Sequence, residues 1–194
     1  MCLRPCLVIV AFTVMSPKIL TAQRPQSRPG FWASMSGGSG NLNWSCDGCS
    51  KRSHGGATIA MRVGGSPSQN VLLGAEINYL LVDLGTAAIN AGYSAFTVYW
   101  YPSATGGLFI KSGVGVGTFY QRTSDSLTAR SASAALLLGA GYDIRVGRKI
   151  SLNPMLTVWS SNKAYLKEEG APIATGFRQY GVTLQFGVTY HHIK

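Results

Sequence analysis

Hydrophobic residues recur at every second position through most of this chain. The clearest case is near the C-terminus, where Tyr180, Val182, Leu184, Phe186, Val188 and Tyr190 alternate with Gly181, Thr183, Gln185, Gly187 and Thr189. A period of two places the first set on one face of a β-strand and the second on the other. Ile59, Met61 and Val63 oppose Thr58, Ala60 and Arg62 in the same way, and Val71, Leu73, Ala75, Ile77 and Tyr79 oppose Gly74, Glu76 and Asn78. Leu108, Ile110, Val114, Val116 and Tyr120 oppose Lys111, Gly113, Gly115 and Gly117. Leu136, Leu138, Ala140 and Ile144 oppose Gly139, Gly141, Asp143 and Arg145, and Ile150, Leu152, Leu156 and Val158 oppose Ser151, Asn153 and Thr157. Helical spacing fits none of these segments better. Alternation by itself does not say whether the apolar face meets protein or lipid. The tyrosines at both ends of the last segment favour lipid, because amphipathic rings settle at the two membrane interfaces.

Residues 31–44 and 88–101 are also strand-like, with ambiguous facing, which brings the count to about eight strands. Short polar connections fall near 66–69, 102–106 and 147–149, and longer ones near 45–55, 84–88, 121–130 and 160–175. The pattern predicts an all-β fold: an eight-stranded antiparallel up-and-down transmembrane β-barrel over residues 31–190, with short periplasmic turns and longer extracellular loops. Sixteen spanning strands of ~10 residues would consume about 160 residues and leave almost nothing for connections, so a large porin is excluded.

Composition narrows the class further. Only 12% of the 194 residues are charged, about half the usual ~25%, while 24 are glycine and 46% are hydrophobic. The glycines have no three-residue period and the apolar content is too high for a disordered chain, so collagen-like and disordered classes drop out. No apolar run of about 20 residues lies beyond the N-terminus, which excludes a helical membrane bundle. At that N-terminus Arg4 precedes the apolar run from Cys6 to Met15, and Leu20-Thr21-Ala22 offers small residues for cleavage, so residues 1–22 read as an export signal. Residues 23–30 read as an exposed lead-in and 191–194 as a frayed C-terminal tail. Loss of residues 1–22 removes Arg4 and Lys18 and takes the formal charge from +10 to +8.

In a small closed barrel the lumen is only just wide enough for its side chains. Glycines on the less apolar face relieve crowding there. The same face collects Arg62, Glu76, Lys111, Asp143 and Arg145, a high density of charge in a chain so poor in it. An unpaired ion in a low-dielectric interior is costly, so these five are expected to pair with one another in a network that plugs the lumen.

Candidate chemistry is sparse. Cys46 and Cys49 form an even pair in a loop-like setting of Ser45, Gly48, Ser50 and Gly55, which favours a structural disulfide over a redox or zinc motif. The three histidines, His54, His191 and His192, assemble no assignable nucleophile, base and orienting group, so no catalytic, cofactor or metal residues are expected. Lys51, Arg52, Arg122, Arg130, Lys163, Lys167 and Arg178 fall in or near the longer connections, where basic groups are expected to meet anionic lipopolysaccharide phosphates rather than nucleic acid.

Tyr101-Pro102-Ser103-Ala104-Thr105-Gly106-Gly107, followed by Gly139 to Arg148 and an apolar last strand ending in Tyr190, resembles the small outer-membrane β-barrel domain proteins of Gram-negative bacteria. The resemblance covers the whole mature chain and its motifs are structural. It implies outer-membrane localisation and insertion by the barrel assembly machinery, although His191-His192-Ile193-Lys194 follows the terminal aromatic. It transfers no catalytic residue. The expected role is non-enzymatic, in membrane integrity or surface contact, for a monomer surrounded by outer-membrane lipids. The alternative is an exported soluble up-and-down barrel that carries an apolar ligand, with the apolar faces turned inward.

Overall fold

In the computed structural model the described residues are 28, 30–85, 87–123, 128–168 and 170–192; the export signal expected over 1–22 lies outside them. Ten strand segments form one antiparallel sheet: β1 (Gly30–Ser45), β2 (Arg52–Ser66), β3 (Val71–Asp83), β4 (Ala87–Trp100), β5 (Leu108–Thr123), β6 (Thr128–Tyr142), β7 (Ile144–Arg145), β8 (Ile150–Ser161), β9 (Ala164–Glu168) and β10 (Ala171–His192). They make eight staves. β7 continues the sixth stave beyond a break at Asp143, since both β6 and β7 pair with β8, and β9 continues the seventh, since both β8 and β9 pair with β10. Each stave pairs with the next in sequence, and β10 returns to β1 in the register Met35↔Val188, which closes the ring. Among the described strands, closure leaves none at a free sheet edge.

The alternation read from the sequence fixes which way each side chain points. Phe186 is 66% exposed and Leu138 65%, whereas Glu76 and Lys111 are each 1% exposed. Met61, Ile77, Phe96, Val114, Leu156 and Leu184 likewise face outward, so an apolar belt girdles the barrel. A belt of this extent is stable only against lipid. The soluble ligand carrier required the opposite orientation and is overturned by it.

Three local expectations fail. The longer loops are largely absorbed into strand: β1, β3 and β5 run to Ser45, Asp83 and Thr123, and β2, β4, β6 and β10 begin at Arg52, Ala87, Thr128 and Ala171. The polar residues there are Gly-, Ser- and Thr-rich and satisfy their backbone groups by extending the hairpins. Arg28 belongs to the supposed exposed lead-in, yet it is buried. The supposed tail is strand as far as His192, and His191 is buried opposite Trp32. A second backbone tie, from His191 N to Lys149 O at 2.7 Å, holds it there.

Candidate functional site

The centre of the lumen is organised around one carboxylate. Glu76 on β3 accepts hydrogen bonds from Lys111 Nζ on β5 at 2.8 and 2.9 Å, from Tyr93 Oη at 2.7 Å and from Tyr99 Oη at 2.9 Å, both tyrosines on β4. Arg62 Nε on β2 lies 3.2 Å from Glu76 Oε2, an ion-pair distance without hydrogen-bond alignment. The Arg62 guanidinium spends its other donors on Ser36 Oγ at 2.8 Å and on Gln185 Oε1. Gln185 in turn donates to Thr58 Oγ1 at 3.0 Å. The band therefore ties together β1, β2, β3, β4, β5 and β10. Two cations share one anion, and both carboxylate oxygens are saturated with donors, which is the arrangement that makes a buried charge tolerable.

Of the five charged residues grouped from the sequence, the structure brings Arg62, Glu76 and Lys111 together and places Asp143 and Arg145 elsewhere. Asp143 sits in the break between β6 and β7, where its carboxylate accepts from Tyr101 Oη at 2.7 Å and from Asn153 Nδ2. Burial, then the Asp143 carboxylate, push the Tyr101 phenol well above its ordinary range, so it remains a donor. Arg145 donates to the Arg148 carbonyl at 3.0 Å, at the barrel rim. The separation follows from position: Glu76 pairs across β4 to mid-strand β5, while Asp143 terminates its strand.

Arg28 is a member of this second cluster that sequence reasoning missed. Its guanidinium lies 3.6 Å over the Tyr101 ring and donates to the carbonyls of Gln69 at 2.9 Å, Ala104 at 3.0 Å and Gly106. It thereby clamps the 67–70 and 101–107 connections from inside. A Pro- and Arg-rich lead-in carries no periodic signal that would have revealed this.

Sequence reasoning also missed how much of the lumen is aromatic. One cluster of buried side chains, on the side of the 46–51 loop, includes Leu42, Leu80, Ile89, Phe119, Trp159 and Phe177. The other, toward the chain ends, includes Trp32, Tyr99, Tyr101 and Phe109. Inward glycines make room for the rings: a Cβ on Gly74 would lie 2.7 Å from Trp32, on Gly141 2.4 Å from Phe109 and on Gly181 2.4 Å from Trp159. A recognisable signal was present, since ring and glycine occupy neighbouring inward positions.

Cys46 and Cys49 form a disulfide with Cα atoms 5.0 Å apart, and Gly48 supplies the positive φ of 79° that the tight loop needs. Asp47 N donates to Thr175 O at 2.9 Å, docking this loop on β10. His54 stacks on Trp44 with ring centroids 5.1 Å apart. The six residues Tyr180 to Tyr190 of the lipid-facing set all point away from the lumen, with Val182 half-buried. The seven basic residues singled out in the sequence all lie on the end of the barrel away from the chain termini.

Solved structures share this architecture. Neisserial surface protein A superposes with a TM-score of 0.60 at 10% identity, covering 86% of this chain and all of that one. Ail, the attachment invasion locus protein of Yersinia pestis, gives 0.51 at 10% identity over 84% of this chain and 99% of its own. The outer-membrane protein AlkL, solved in lipid bilayers, gives 0.50 at 13% identity over 89% and 96%. No family model matches the sequence, and no curated protein matches it. The lipid-facing belt, the closed eight-stave ring and these superpositions together make this chain a small transmembrane β-barrel with the outer-membrane fold.

Proposed function

We propose that this protein is a non-enzymatic barrel of the outer membrane whose lumen is closed and whose work is done at its surface, in membrane integrity or in contact with other surfaces. The observation that carries the proposal is the filled interior: a saturated Glu76 band lies between two aromatic clusters, and the space left among Trp32, Tyr99, Phe109 and Asp143 is about 20 Å³, room for about one water. A conducting pore needs a continuous wet path, which eight staves packed with rings do not leave. Two similar structures are described as a surface protein and as an attachment invasion protein, which supports a surface role. The chain acts in this reading as a monomer among outer-membrane lipids, inserted by the barrel assembly machinery.

The test is conductance together with fractionation. The folded protein in planar bilayers should give no unitary current steps, should fractionate with outer membranes and should shift in gel mobility on heating. Regular ion steps would refute the closed lumen, and recovery as a folded protein in detergent-free buffer would refute the membrane reading.

A further inference from the structure

On the end away from the termini the ladder on β6 is interrupted where its partner changes from β8 to β9. β6 pairs with β8 as far as Ala135↔Ser161 and with β9 from Arg130↔Lys167, so residues 131–134 face residues 162–166 without regular pairing. A two-point clip, from Asn162 N to Ala134 O at 2.8 Å and from Ser133 Oγ to Asn162 O at 3.0 Å, holds the seam. Here the wall is indented by a crevice of about 740 Å³ whose lining includes Ala132, Ala134, Tyr120 and Tyr165. That volume is in the range of small-molecule sites and exceeds what a lone phosphate fills.

Its charge is one-sided. Arg130, Lys163 and Lys167 all line it. Arg130 and Lys167 stand directly opposite each other on neighbouring strands, a like-charged pairing that destabilises a sheet unless an anion bridges it. Among the described residues none of the three has a carboxylate partner within ion-pair distance. The nearest described carboxylate in sequence, Glu168, occupies the other face of β9 by strand alternation. Asp125 and Glu169 lie outside the described residues.

Directly along the same two staves, toward the middle of the barrel, lies a second outward groove. It is about 190 Å³ and its lining includes Leu136, Leu138 and Val158. A cationic recess above an apolar groove is the shape of an amphiphile with an anionic head.

We propose that the crevice is the headgroup site of a phosphorylated outer-leaflet glycolipid, with Arg130, Lys163 and Lys167 on its phosphate and an acyl chain laid along Leu136, Leu138 and Val158. The proposal deepens the membrane reading above and rests on it, because only a membrane-embedded wall presents both recesses to one lipid. Tyr120 and Tyr165 have the flat, amphipathic rings that pack against a sugar face at the interface.

The test uses the full chain folded in neutral detergent, with the heat-shifted gel band confirming the fold of every variant before binding is read. Diphosphoryl lipid A is titrated into wild type, Arg130→Gln/Lys167→Gln and Lys163→Gln, with Arg52→Gln/Arg122→Gln as a control of equal charge loss elsewhere on the rim. The expected result is retention by wild type and the control, and about a tenfold or greater loss in the double variant, which removes two charge-assisted contacts to the phosphate. Equal losses in the control would mean diffuse attraction and overturn the site. Full competition by inorganic phosphate at equal concentration, or equal binding of phosphatidylglycerol, would overturn the glycolipid assignment. A variant that binds as wild type overturns the proposal, whereas a chain that folds without detergent fails the membrane reading instead.

Discussion

The two halves of the lumen are filled by different chemistry. On the side of the 46–51 loop, Leu42, Leu80, Ile89, Phe119 and Phe177 meet as a dry apolar cluster. Phe119 and Phe177 are in edge contact at 4.9 Å. On the side of the chain ends the rings are Trp32, Tyr99, Tyr101 and Phe109, and the Tyr99 and Tyr101 hydroxyls donate to Glu76 and Asp143. An apolar cluster tolerates small shifts because dispersion has no direction. The polar half works only if every donor and acceptor finds its partner, so it specifies one arrangement more strictly and loses more when a partner goes.

The sharpest way to break this contrast is Glu76→Ala. It strands Arg62 and Lys111 in a dry interior and is expected to lower unfolding free energy in detergent by about 3–5 kcal/mol. Replacing all three, as Arg62→Met/Glu76→Leu/Lys111→Met, should recover most of that loss, because no buried charge is then left alone. A triple variant as unstable as Glu76→Ala would show that the band acts by packing and not by charge pairing. Denaturant titration of tryptophan fluorescence reads both.

In the apolar half, Phe119→Ala should cost about 3 kcal/mol through lost burial and an unfilled cavity, without the rescue available to the charged band. At the end near the termini, Arg28→Gln should cost the least, about 1 kcal/mol, since its carbonyl partners can turn to water. Its signature is local: amide exchange should quicken across 67–70 and 101–107 while β3 to β5 stay protected. Uniform quickening would show that Arg28 supports the barrel as a whole.

Much of the architecture was legible in the sequence because the physics of a closed sheet is periodic. Leu184 and Gln185 declare opposite faces by parity alone, and the inward parity of Arg62, Glu76 and Lys111 placed charge inside. What parity does not carry is height along the barrel. Asp143 shares the inward face with Glu76 but sits at a strand break near the end, so the single five-residue network resolves into two clusters. Parity also left Trp32 and Tyr93 unplaced, because the facing of 31–44 and 88–101 was ambiguous, and it did not reveal that Gly74 and Gly181 vacate the space that Trp32 and Trp159 fill. Arg28 and His191 lay in segments with no alternation to read, and their burial depends on turns brought close by closure. The crevice at Arg130 and Lys167 arises from the mismatch between 131–134 and 162–166, a pairing defect invisible to any single segment.

The most direct measurement of the central claim is solid-state NMR of the protein in lipid bilayers, detecting magnetisation transfer from acyl-chain protons to side chains of β10. The account predicts transfer to Leu184, Phe186 and Val188 and none to Thr183, Gln185 and Thr189. Acyl contacts at Thr183 and Gln185, or contacts that ignore the alternation, would contradict it.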